Sequence, residues 1–306
     1  MIRFLAFRLG RAALTILIVV TFAFVVLRAS GDPAMLILSV DAPAAAIEAF
    51  RKSWGLDRPI WVQYLEFLRH LAVGDLGQSM RDGRPAASLV MERIPATLML
   101  AVPALLIKVG LGVPAGVFAA LKRGSWIDKT VMAAAVAGFT VPSFVLGLVL
   151  VLVFAVQLHW LPSGGVDSAL SPILPVVTLG VGGAAILARF TRSAMIEVLD
   201  QPYIRAASAK GVPWRQVVRR HALPNAAIPT VTIVGFMVGS LLAGAVVVES
   251  VFSWPGVGRL LVVAVSNRDL AVVQAILVLV AATMVCANLA VDLVYGLLDP
   301  RLRGRR

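Results

Sequence analysis

The chain has 306 residues, 59% of them apolar and 14% charged, with a formal net charge of +12 and a mean hydropathy of +0.91. An average soluble domain is about 25% charged, and burying this much apolar side chain in water-soluble cores would leave too few polar residues for a surface, which excludes a water-soluble globular protein. The basic excess forms no solvated stripe of the kind that binds nucleic acid; it clusters between long uncharged runs and points to a membrane.

A bilayer core needs about 20 mainly apolar residues per helix. Six runs meet that pattern: 12–27, 97–121, 131–158, 174–188, 228–248 and 272–298. The expected fold is all-α, a polytopic membrane protein with six transmembrane helices. The first run is short between Arg11 and Arg28, but Ile2, Phe4, Leu5 and Phe7 extend its apolar face while the arginines snorkel. No small-x-small cleavage site precedes Ser30, so residues 1–30 read as an anchor rather than a signal peptide.

Residues 31–92 form a long connection. Within it, 44–52 predict a short helix, and Pro59 precedes Trp61, Tyr64, Leu65, Leu68 and Leu71 at helical spacing, an amphipathic segment suited to the membrane surface or to the other spans. Gly74, Asp75, Leu76, Gly77 and Ser79 predict turns. Two roles stay open for this region, a cap over the bundle and a surface that receives a soluble partner.

Two charged residues fall inside spans. Lys108 lies about 16 Å into span two at 1.5 Å per residue, near mid-bilayer, and Asp292 lies in the inner half of span six. A charge there costs about 2.5 to 3.5 kcal/mol on insertion scales. Either the two neutralise one another or line a translocation path, or each separately snorkels or faces a partner. Gly112 to Gly116 and Gly235 to Gly239 are G-x-x-x-G patterns that allow close helix approach, within this subunit or across to a second. Pro103 and Pro114 can kink span two, and Pro142 span three.

Charge sets the orientation. Both termini and the connections after spans two and four carry 17 basic and four acidic residues, whereas the opposite face totals −1. The positive-inside rule therefore places both termini in the cytoplasm. Trp126, Trp160 and Trp254 fall at span ends as interfacial aromatics do. Cys286, the one cysteine, cannot form an internal disulfide and reads as a small packing residue.

The connection at 200–225 is the most informative segment. Pro202 suits a first helical turn, 203–210 a short helix, Gly211 a C-cap and Pro213 a restart. Pro224 and Pro229 are expected to break the chain before span five. Ala206, Ala207, Ser208 and Ala209 make the first helix slim enough for a groove in another protein. Arg205, Lys210, Arg215 and Arg219 surround it with charge.

Arg205-Ala206-Ala207, three residues, Gly211, nine residues, His221-Ala222-Leu223-Pro224 resembles the EAA loop of binding-protein-dependent ABC importer permeases. Arg205 stands where that pattern has an acid, and His221 where it has isoleucine, so the acid's salt bridge is not carried over. Likeness extends to Gly31-Asp32-Pro33, Gly55 to Pro59, Gly74 to Gly77, Ala188 to Ser193 and Glu249 to Leu260, and resembles the first permease subunit of the dipeptide, oligopeptide, nickel and glutathione branch. The resemblance implies a type I permease core over 93–299 and a basic cytoplasmic tail over 300–306. It implies an ATPase-coupling loop of Tyr203, Arg205, Ala206, Ala207, Lys210, Gly211, Leu223 and Pro224. It implies a second homologous permease, two ABC ATPase subunits and an exported solute-binding protein, in a bacterial inner membrane. Glu249 and Trp254 would lie near the outer gate, or simply anchor span five, and join Lys108 and Asp292 as candidate path or gate residues.

No G-x-x-x-x-G-K-[ST] occurs, so ATP and Mg would be used by partner subunits and no cofactor is expected on this chain. His70, His159 and His221 fall in different connections, with no H-E-x-x-H, C-x-x-C or G-x-S-x-G. No metal site and no catalytic residue is expected. An ion-coupled secondary transporter, the rival class, calls for internal repeats, interrupted helices and several intramembrane ionisable residues.

Overall fold

The computed structural model describes residues 2–29, 31–38 and 42–298, with no strands among them and one isolated bridge, Gln78 to Pro85. It divides into two compact units. Residues 1–97 and 255–282 form the first, and 98–254 with 283–306 the second.

The first unit begins with α1 (Ile2–Ala29), followed by α2 (Pro33–Ile37), α3 (Ala44–Ser53) and α4 (Ile60–Ala72). Asp32 caps α2 by accepting from the Ala34 N–H at 2.9 Å, and its carboxylate is held by Arg51. The amphipathic segment after Pro59 is α4, and it packs on α1. Tyr64 shares a 2.6 Å hydrogen bond with Thr21, and Phe24 lies 5.3 and 6.0 Å from the rings of Tyr64 and Phe67. The turns at Gly74, Gly77 and Gly83 adopt positive φ. They lead into α5 (Ala86–Leu121), whose 36 residues span about 54 Å, more than a hydrocarbon core of about 30 Å. The extra length is at the start, where Ala86, Leu89 and Val90 pack with Val257, Leu270, Val273 and Ile276.

The second unit contains the rest of α5, then α6 (Trp126–Thr140) and α7 (Ser143–Leu150), which continues in wide π-type turns to Gln157. The kink at Pro142 is a 97° corner between α6 and the segment after it. Proline disfavours helical geometry in the residue before it, and Val141 is extended at φ −77°, ψ 118°. Next comes α8 (Ile173–Leu199), so Arg189 and Arg192 are helical. Then α9 (Pro202–Ala209), α10 (Trp214–Val217), a wide turn over Val218–Ala222, and α11 (Leu223–Gly239) follow.

Here the structure departs from the sequence expectation. Pro224 and Pro229 do not break the chain: an apolar helical segment runs from Trp214 to Gly239, with Pro224 in the first turn of α11 and Pro229 inside it. A first-turn proline sacrifices no helical hydrogen bond, and the wide turn before it absorbs the change of phase. The break comes instead at Ser240, before α12 (Leu241–Val251).

The remaining elements are α13 (Val257–Ser266), in the first unit, and α14 (Leu270–Leu298). Among the described residues, four helices are long and apolar enough to cross a bilayer, or five if the bent α6–α7 pair is one span. The apolar stretch of α1 among the described residues, Ala13–Val26, falls short of that length, so the six expected spans are not all found there.

Both G-x-x-x-G patterns pack within the second unit. A Cβ on Gly112 would fall 2.7 Å from the Ala184 carbonyl oxygen, and one on Gly116 2.4 Å from that of Ala188, so α5 and α8 run backbone to backbone. Gly235 receives Val291, and Gly239 lies against Met284 and Ala287.

Candidate coupling loop and membrane-core site

The 200–225 connection is built on one buried anchor. Ile204 is 2% exposed and joins Met195, Ala120, Val217, Ala222 and Ala226 in a core cluster, with Ala207, Val212 and Leu223 partly buried against it. Tyr203, Arg205, Ala206 and Lys210 are exposed around this anchor, as are Gly211 and Pro224. Pro202 supplies the first turn of α9.

The C-terminus of α9 is a complete Schellman motif. Gly211 N–H donates to Ser208 O at 3.0 Å and Val212 N–H to Ala207 O at 3.3 Å. Gly211 sits at φ +76° with nothing within 4 Å of a Cβ placed on it, so glycine is needed for backbone geometry rather than for space. Val212 and Ala207 both pack against the Ile204 cluster. Beside the loop, Arg215, Gln216, Arg219 and Arg220 line an open basic hollow of about 530 Å³.

A clamp that sequence alone did not assign braces this end. Arg192 Nε donates to Asp128 Oδ1 at 2.5 Å and Nη2 to Oδ2 at 2.7 Å. Asp128 Oδ2 also accepts from the Gly124 N–H at 2.9 Å, and Ser125 Oγ caps α6 by accepting from the Asp128 N–H. Arg123 reaches Asp200 at 3.1 Å. The S-x-x-D pattern at Ser125 is the local signal available for this capped turn; its partner on α8 is 64 residues away.

The candidate path residues are placed as follows. The Lys108 stem lies across Gly183 of α8, where a Cβ would come 2.5 Å from its Cδ and Cε. Its ammonium makes no hydrogen bond or salt bridge among the described residues. The Asp292 side chain lies outside the described residues. Glu249 is fully buried on α12, and its carbonyl accepts from the Trp254 N–H at 2.8 Å, so these two residues are neighbours.

Trp254 corrects the interfacial assignment, because it is 2% exposed whereas Trp126 and Trp160 are 77% and 64% exposed. The turn is held inward because Phe252, completely buried between α7 and α8 residues, accepts from the Gly165 N–H at 2.9 Å. Ser253 adopts φ +52° to make the corner. Among the described residues no cluster of three or more metal-ligating side chains occurs.

These features define the class: a helical, apolar membrane-type chain with a slim, glycine-capped connection and closely packed small-residue helices. The family description of binding-protein-dependent transport system inner membrane components matches residues 112–304, and that of their N-terminal region matches 1–101. The chain belongs to this family and is an ABC importer permease of the dipeptide and glutathione branch. It is 44% identical over 273 residues to the glutathione transport system permease protein GsiC of Escherichia coli O6:H1, covering 89% of each chain. It is 43% identical to the protein of that name in Salmonella choleraesuis, covering 95% of this chain and 94% of that one. The fold is similar to the MetNI methionine ABC transporter in an inward-facing conformation, with TM-score 0.57 and 22% identity over 69% of this chain and 96% of that one.

Proposed function

We propose that this permease forms half of an ATP-driven import pathway for small peptides, with dipeptides, oligopeptides and the tripeptide glutathione as the substrate class. The relatives named for glutathione transport support that class. The observation that carries the coupling assignment is the Schellman-capped α9, anchored by Ile204 beneath an exposed Ala206 and flanked by the basic hollow. A slim helix with a rigid end transmits displacement, and a basic surround favours an acidic cleft.

In this reading Tyr203, Arg205, Ala206, Ala207, Lys210, Gly211, Leu223 and Pro224 dock on an ATPase subunit. Two such ATPases hydrolyse ATP with Mg, and this chain holds neither. A second homologous permease completes the pathway and an exported binding protein delivers solute. The chain sits in a bacterial inner membrane with both termini cytoplasmic, as the charge segregation favours. Lys108, Asp292, Glu249 and Trp254 are assigned to the path or its outer gate. If Lys108→Met and Asp292→Asn both leave assembly and uptake unchanged, those two leave the path.

The test is reconstitution in proteoliposomes with the second permease, the ATPases and the binding protein. The expected result is uptake of labelled glutathione or Ala-Ala that requires ATP and rises with loaded binding protein; their ratio decides between glutathione and dipeptide import. Uptake that follows an ion gradient without ATP overturns the proposal, and uptake of nickel in preference to either peptide overturns the substrate class.

A further inference from the structure

Within the first unit, α1, α4, residues 75–80 and the start of α14 line an open cavity of about 270 Å³. Its volume is near the lower end for small-molecule sites, and its polar wall is under-satisfied. Three occluded polar atoms lack a hydrogen-bond partner among the described residues, and two of them, Arg28 Nε and Gln63 Oε1, belong to residues of this wall. Buried polar groups are ordinarily paired, so two such atoms at one cavity call for an explanation.

Gln274, also on the wall, is 5% exposed and hydrogen-bonds no described residue. Its amide atoms are absent from the occluded set, so the amide keeps some accessible surface.

The charges are equally specific. The Arg28 guanidinium lies 5.7 Å from the Phe24 ring centroid and makes no salt bridge with a described residue. Asp32, which lends it a favourable field, is itself held by Arg51. The two carboxylates on the wall are engaged: Glu66 by Arg58, and Asp75 by His70 at 2.9 Å. The wall therefore carries one cation without a salt bridge to a described residue, Arg28, and an amide, Gln274, that can both donate and accept. Phe67 and Trp54 contribute apolar wall.

We propose that this cavity binds the C-terminal end of a short peptide, its carboxylate on the Arg28 guanidinium and its last amide on Gln274. A guanidinium is suited to a carboxylate. The choice of ligand rests on the small-peptide reading above; the unsatisfied wall does not.

The test uses the full chain in phosphatidylcholine nanodiscs, without binding protein or ATPases, titrated calorimetrically with Ala-Ala and with its C-terminal amide. Saturable Ala-Ala binding is expected, at least about tenfold weaker for the amide, and weakened about tenfold by Arg28→Gln and by Gln274→Leu. Thermal melting without ligand verifies that each variant is folded, and Arg28→Lys, which keeps the charge, should retain part of the affinity if Arg28→Gln does not fold. No saturable binding, equal binding of acid and amide, or indifference to a folded Arg28 variant overturns the site. So does binding that responds to added phosphatidylethanolamine or phosphatidylglycerol and not to peptide. An importer that takes up peptides while this chain alone binds none overturns the site and leaves the transport reading standing. A chain that binds peptide within a complex showing no ATP-driven uptake does the reverse.

Discussion

Arg192 on α8 grips Asp128 at the start of α6 through two parallel hydrogen bonds, at 2.5 and 2.7 Å, and so ties the α5–α6 turn to the helix that precedes the coupling loop. Asp128 is 4% exposed, and its Oδ2 also accepts from the Gly124 N–H. Lysine cannot reproduce a two-pronged contact. Arg192→Lys and Asp128→Asn should each destabilise the protein by about 2 kcal/mol, the range of hydrogen bonds to charged groups. Thermal melting in nanodiscs measures this; unchanged melting of both variants would show that the clamp contributes nothing.

The α5–α8 contact gives a second expectation with its own control. At Gly116 a Cβ would meet the Ala188 carbonyl oxygen at 2.4 Å and Thr191 Cβ at 2.7 Å, neither of which can swing away. Gly116→Ala should force the helices apart and cost about 1 to 3 kcal/mol, as overpacking does. Gly110 on the same helix is exposed with nothing within 4 Å, and Gly110→Ala should stay within about 0.5 kcal/mol. Equal melting temperatures for the two variants would sink the close-packing account.

For the proposed coupling loop, Gly211→Val should impose about 1 to 2 kcal/mol of backbone strain, because an L-residue with a branched Cβ disfavours φ +76°. The damage should be local to the end of α9. Membrane insertion and helix content should match wild type, while capture of the ATPase subunits and ATP-driven uptake fall. A variant that couples like wild type would remove Gly211 from the docking element.

A pH dependence follows from Asp269, before α14. Burial raises its carboxyl above the usual carboxylate value, against the lowering effect of hydrogen bonds from Ser79 and from the Val272 and Met80 N–H groups. The native state therefore holds this proton at pH values where the unfolded chain has released it, and stability falls as pH rises from the ordinary Asp range through the raised native value. Asp269→Asn, which can still accept from Ser79, should flatten that slope in melting experiments across pH 4 to 7. A slope identical to wild type would mean that Asp269 does not titrate in this window.

Much of the architecture was legible in order. The helix after Pro59 and the Gly74–Ser79 turns fall where hydrophobic spacing and turn chemistry place them. The Gly211 cap was legible too, because only a glycine is at ease in that backbone region and the helix period stops there. Pro229 was misread: alone in a sequence it signals a stop, but the apolar segment through it is long enough for packing and lipid to keep it helical.

The sequence by itself determined that this chain carries the long apolar runs of a membrane protein, that its positive charge is segregated to one set of connections, and where the alanine-glycine-proline register of the 200–225 connection lies. Those are one-dimensional properties, set by transfer free energy, by charge near span ends and by local backbone preference. The tertiary structure decided which backbone each glycine admits, that Trp254 is buried, that Ser79 meets Asp269 across 190 residues, and that Arg192 meets Asp128. It also placed Arg28, Gln63 and Gln274 around one cavity. Such pairings depend on how distant elements approach in space, which local residue preferences do not encode.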